Sequence, residues 1–137
     1  MTDANGIPLA IAVDGANRND FKMARETLAM IAIERPKATR SSRQNLCLDK
    51  GYDYGEVRDL ADEFRFTAHI RSRGEEAKAI KKAAGHKARR WVVERSHSWM
   101  NRFRRVLIRW EKRADTYVAM LHLACALITW KACGLLG

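Results

Sequence analysis

Apolar positions along the chain fall into short runs and helical spacings. Pro8 to Val13 (PLAIAV), Asn45 to Asp49 (NLCLD) and Phe66 to Ile70 (FTAHI) read as strands. Between the first two, Phe21, Ala24, Leu28 and Ile31 recur at helical spacing. They predict an amphipathic helix entered through Asn19 or Asp20 and stopped by Pro36. Val57, Leu60, Ala61 and Phe64 predict a second helix, opened by the capping-box spacing of Asp53 and Glu56. A long helix is expected from about Arg90 to Lys112, and an apolar one from about Asp115 onward. Strands alternating with helices predict an α/β layer architecture. The expected form is a short mixed sheet, flanking helices and two long C-terminal helices. The length of 137 residues fits one domain spanning 1–137.

The N-terminal turn carries a further expectation. Asp3-Ala4-Asn5-Gly6 contains Asn-Gly, a strong hairpin signal, yet only two residues precede it. A hairpin needs a strand on each side, so either the turn is not a hairpin or its first arm is missing, and the second is expected.

Composition narrows the function classes. Apolar residues make up 47% of the chain, enough for a packed core, which excludes a wholly disordered chain. The net charge is +10 and the pI is near 10.0. Residues 1–70 carry 10 basic and 11 acidic side chains, whereas residues 71–112 carry 14 and 4. The imbalance is therefore one concentrated block, and that suggests a polyanionic partner, either nucleic acid or an anionic membrane surface. Cys47, Cys125 and Cys133 form an odd set without a CxxC, and they read as reduced core thiols. No basic segment followed by an apolar run marks a secretory signal. The apolar stretch Ala114 to Leu136 carries Asp115, His122 and Lys131, so it reads as a buried helix and not a membrane span.

The basic block has internal order. At about 100° per residue, Val92, Trp99, Phe103, Val106, Leu107 and Trp110 share one side of the long helix, the expected buried side. Arg95, Ser98, Asn101, Arg102, Arg105, Arg109 and Lys112 share the other, with Glu94 among them. A solvated face with weak ion pairs, about 0.2–0.5 kcal/mol each, has this look. So does a phosphate-binding surface around a metal-binding carboxylate. Asp49 ends a strand at the position where open α/β sheets place ligand-binding groups. Glu94-x-x-His97 has di-iron spacing but occurs once, among cations that do not suit iron. His69 and His122 read as core histidines and His86 as loop surface. Asn17, Arg18 and Asp20 either line a site loop or cap a helix.

These residues carry a resemblance. CLDKGYD (Cys47 to Asp53) followed by RRWVVERSHSWMNRFRR (Arg89 to Arg105) resembles the C-terminal catalytic part of bacterial insertion-sequence DDE transposases. GIPLAIAVDGANRND (Gly6 to Asp20) and RWEKRADTYVAMLHLACALI (Arg109 to Ile128) resemble flanking blocks of the same family. The resemblance implies a partial RNase H-like fold and metal-dependent DNA strand cleavage and transfer. By position, Asp49 matches the second catalytic acid and Glu94 the third, both as metal ligands. Arg90 matches the arginine of the family's Tyr-x2-Arg-x3-Glu-x6-Lys pattern, whose tyrosine position is Lys87 here and whose lysine position is Asn101. The family's first catalytic Asp lies on a strand before the Asp3–Gly6 turn, and neither Asp3 nor Asp14 matches it.

The implied chemistry is two-metal phosphoryl transfer with Mg²⁺ or Mn²⁺, complete only when the first Asp is supplied. Lys87, Arg90, Arg95, Arg102, Arg105 and Arg109 are then expected to hold DNA phosphates. The expected partners are the element ends and target DNA, together with an upstream transposase segment or further copies of the chain, and no membrane. The expected location is the cytoplasm. Two rivals stay open: a non-catalytic DNA-binding remnant or regulator of transposition, and a peripheral membrane protein using the basic block.

Overall fold

Leu46 and Phe66 are the buried members of two short apolar runs that pair side by side. In the computed structural model, which describes residues 1–15, 17–39, 42–70 and 90–135, strand β1 (Gln44–Leu48) lies parallel to strand β2 (Phe66–Ile70). Gln44 is opposite Phe66 and Leu48 opposite Ile70. A parallel pair needs a crossover, and helix α2 (Gly55–Glu63) supplies it. Val57, Leu60 and Ala61, at i, i+3 and i+4, are buried, and α2 packs on β2. Helix α1 (Ala24–Ala29) buries Leu28. These elements belong to the first of two compact units, residues 14–89; the second comprises residues 1–13 and 90–137.

The observed elements refine the expected ones. Both strands fall within a residue of their predicted bounds. The first helix begins as a 3-10 turn at Asp20–Met23 and ends at Ala29, well before Pro36. Ile31 and Ile33 follow it, and β-branched side chains lose rotamer freedom in a helix. The capping box at Asp53 does not form. Tyr54 is the N-cap of α2 without a side-chain bond, because the Asp53 carboxylate turns to Lys50 and Arg58 instead. Helix α2 ends on Arg65 at φ 60°, in the left-handed region usually taken by glycine.

In the second unit the chain opens with a tight turn. The Asp3 carboxylate accepts the backbone N–H groups of Asn5 and Ile7, each at 2.8 Å. Thr2 and Pro8 form an antiparallel bridge, and Leu9 N–H donates to Met1 O at 3.0 Å. The turn is thus a hairpin whose first arm is Met1–Thr2. The expected strand over 8–13 is reduced to that bridge, and Pro8 has no N–H to give.

Helix α3 (Arg90–Met100) and helix α4 (Arg104–Leu107) replace the single helix expected over 90–112. The chain tightens after Met100, with Arg102 N–H on Trp99 O and Phe103 N–H on Met100 O. Phe103 is then extended, with φ −91° and ψ 100°. The break resets the phase of the face. Val92, Trp99, Phe103 and Val106 remain half-buried, but Leu107 is exposed and Trp110 is 72% exposed, against expectation.

Helix α5 (Ala114–Ala132) buries Leu121, Ala124 and Ile128 and packs against α3 and α4. No helix among the described residues is long and apolar enough to cross a membrane. His122, Cys47 and Cys133 are exposed, so they are not core residues as expected; Cys125 is half-buried. His69 is half-buried and its Nε2 lies 2.7 Å from Asn45 Oδ1 on the neighbouring strand.

The buried polar residue of α3 is Ser96, at 2% exposure. Its Oγ donates to Gly6 O at 2.7 Å and also lies 3.0 Å from Val92 O. Gly6 has φ 86°, and a Cβ there would stand 3.1 Å from both Ser96 Oγ and Val92 O. Gly6→Ala therefore meets backbone strain and crowding together and should cost about 1–3 kcal/mol. Ser96→Ala should cost about 1–2 kcal/mol by stranding a buried carbonyl. Urea unfolding of both variants checks the values and their order.

Candidate active site

Asp49 stands directly after β1, at the carboxyl end of the parallel pair. It is exposed, and its Oδ1 accepts Gly51 N–H at 2.8 Å, which makes it the N-cap of a 3-10 turn over Lys50–Tyr52. A Cβ on Gly51 would approach that same oxygen to 3.0 Å. The sequence Asp-Lys-Gly-Tyr thus holds one carboxylate oxygen against the backbone. Among the described residues, Oδ2 has no hydrogen-bond partner.

The 3-10 turn at Asp20–Met23 packs against the turn at Lys50–Tyr52, and Phe21 stacks on Tyr54 with ring centroids 4.2 Å apart. This brings a second acid into the same electrostatic neighbourhood. Burial pushes the Tyr52 hydroxyl up from its ordinary value, and the negative charges of Asp20 and Asp49 push it further. Sequence reasoning left Asp20 undecided between a site loop and a helix cap. Asn19 holds the cap position, and Asp20 is exposed in the first turn. The legible signal was its place at the end of the GANRND block.

Glu94 lies in the other unit, on α3, exposed and without an ion pair among the described residues. Its neighbour Arg95 sits over the Trp91 ring at 4.3 Å and the Trp99 ring at 5.7 Å, and its Nη1 reaches Asn5 O at 3.4 Å. Arg102 is exposed with no ion pair among the described residues. Arg105 and Arg109 both turn to Glu111, the first to its carboxylate at 3.4 Å and the second to its backbone oxygen at 3.3 Å. Arg90 begins α3. Lys87 and His86 lie outside the described residues. No cluster of three or more His, Cys, Asp or Glu side chains that could hold a metal forms among the described residues.

The turn beside Asp49 has a readable titration. Lys50 bonds the Asp53 carboxylate, and Arg58 Nη2 donates to it at 2.5 Å. The Lys50 bond and then the Arg58 bond hold this carboxyl below its ordinary value of 3.8. A depressed folded value means that the pairing stabilises the turn above the ordinary value. That stability is lost as pH falls through the lower folded value. Carboxyl NMR titration should place Asp53 below 3.8 in the parent chain. The midpoint should move upward in Arg58→Ala.

A family model described as "Transposase DDE domain" matches residues 1–129. A Burkholderia cepacia protein described as a transposase for insertion sequence element IS402 is 36% identical over 143 residues. That alignment covers 95% of this chain and 60% of the relative, so the chain spans less than two thirds of the relative's length. No solved structure matches. The matched span takes in both Asp49 and Glu94, and on its extent the chain belongs to the transposase DDE domain family.

Proposed function

We propose that the chain is the downstream catalytic segment of an insertion-sequence transposase, acting in DNA transposition by metal-dependent strand cleavage and transfer. The observation that carries the reading is Asp49. Its carboxylate is held at the carboxyl end of a parallel strand pair by Gly51 N–H, with the second oxygen left to solvent. The donor chemistry suits a hard divalent ion, since Asp49 and Glu94 are both exposed carboxylates. They are the residues that would hold Mg²⁺ or Mn²⁺. When bound, such ions supply charge neutralisation at the phosphate and lower the pKa of a bound hydroxyl or water.

The chain's own contribution is positioning. Asp49 is held by its bond from Gly51 N–H, and Glu94 is carried on α3. On this reading Arg90, Arg95, Arg102, Arg105, Arg109 and Lys87 would hold DNA phosphates. Arg102 is exposed and has no ion pair among the described residues. Arg95 is preorganised by Trp91 and Trp99, whose faces restrict its guanidinium. By the resemblance, no residue here takes the place of the family's first acid. Residues 1–137 alone should therefore bind DNA without cutting it efficiently. An upstream transposase segment or a further copy of the chain would have to complete the site. On this reading the protein would act in the cytoplasm, where bacterial DNA lies.

Two measurements test this. DNA affinity of residues 1–137 should fall steeply with salt, the slope set by the number of phosphates neutralised. Arg102→Ala should lower that slope by about 1, and Asp49→Asn should leave binding unchanged. A supercoiled-plasmid assay with Mn²⁺ should show little nicking. Robust cleavage abolished by Asp49→Asn would show that these residues need no further acid. Salt-independent binding, or binding to anionic liposomes but not to DNA, would overturn the DNA reading.

A further inference from the structure

Glu111 lies between α4 and α5 and differs from every other acid of its unit. Its side chain is only 7% exposed, and its Oε2 is buried with no hydrogen-bond partner among the described residues. Oε1 is 3.4 Å from Arg105 Nη1, although the Arg105 side chain is itself 68% exposed. The Glu111 backbone oxygen takes Arg109 Nε at 3.3 Å. The Arg109 guanidinium lies 5.5 Å from the centre of the Tyr117 ring, and Tyr117 Oη donates to Val106 O at 3.3 Å. One residue thus gathers two arginines, and Tyr117 ties that group to both α4 and α5.

A buried carboxylate is costly unless it is well paired, and this one is paired at long range on one oxygen only. Stability alone does not account for it. An exposed arginine held at one end by a buried acid keeps its other N–H groups for a second acceptor, with less side-chain freedom to lose on binding. We propose that the Glu111 carboxylate is a positioning group that presents Arg105 to the phosphates of bound DNA, with Arg109 held beside it by the Glu111 backbone oxygen. This rests on the DNA-binding reading above.

The sign of the effect makes the inference testable. As simple electrostatics, Glu111 repels DNA, so its removal should tighten binding. As a positioning residue, its loss should weaken binding despite the gain in net positive charge. The experiment measures affinity of the full 137-residue chain for a duplex at fixed salt, with folding checked by circular dichroism. Arg105→Ala and Arg109→Ala should each weaken binding by about three- to tenfold. Glu111→Asp keeps the charge but withdraws the carboxylate from Arg105, and it should weaken binding to a similar extent. In an Arg105→Ala, Arg109→Ala background, Glu111→Asp should have no further effect, a coupling that a purely structural role would not produce. If Glu111→Asp fails to fold, the near-isosteric Glu111→Gln carries the test by the direction of its effect. Tighter binding in Glu111→Gln, unchanged binding in Glu111→Asp, or additive losses in the combined variant would overturn the proposal. Unchanged binding in both arginine variants would overturn it too, and would remove those arginines from the DNA surface. Weaker binding in the arginine variants, with no effect at Glu111, would sink the positioning role alone.

Discussion

The helix that carries Glu94 is fixed in rotation by one close approach, Ser96 against Gly6. The Oγ–O distance of 2.7 Å joins residues ninety positions apart. It is possible because Gly6, with its positive φ, brings bare backbone onto the helix surface. The contact decides more than stability. Ser96 and Val92 are four residues apart and therefore share a face. With that face turned inward, Glu94, about 200° around the helix from each, must point outward. The exposure of the candidate metal ligand is a consequence of what is buried behind it. The Asp3 carboxylate shapes the turn that presents Gly6, so the constraint reaches back to the first residues of the chain.

The other candidate ligand is placed by a different device. A parallel strand pair must be linked by a crossover, and the link here leaves β1 through a single tight turn. Asp49 caps that turn with its own side chain, and Gly51 is the residue whose lack of a Cβ allows it. The neighbouring turn brings Asp20 close enough for its charge to be felt at Tyr52. The charges of Asp20 and Asp49 are thus both felt at Tyr52. A second acid near the first suits a cation better than an isolated carboxylate does.

Much of this was legible in the sequence because it depended on local periodicity. The strands at Asn45 and Phe66 are bounded by turn residues, and Val57, Leu60 and Ala61 lie one helical turn apart. What was not legible depended on competition between partners. Asp53 has ideal capping-box spacing, but two nearby cations bind its carboxylate more strongly than a backbone N–H does. Ser96 falls on the buried side of a helical projection, yet a serine there attracts no notice until its acceptor, Gly6, is known. Asp49 and Glu94 stand out as candidates by block resemblance as much as by physics, since an exposed acid has no periodic signature.

The break after Met100 explains why the basic face could not be read as one surface. A continuous helix would align Arg95, Arg102, Arg105 and Arg109 on one side, with Trp110 on the other. The extended Phe103 ends that register and starts a new one, in which Phe103 and Val106 turn toward the protein. The arginines are thereby sorted by their partners. Arg95 is stacked between tryptophans, Arg105 and Arg109 gather at Glu111, and Arg102 stands at the break, open to solvent. A uniform cationic stripe would neutralise any polyanion. Arginines with separate and partly buried supports are restricted in where they can point, so their value depends on the shape of the phosphate backbone they meet.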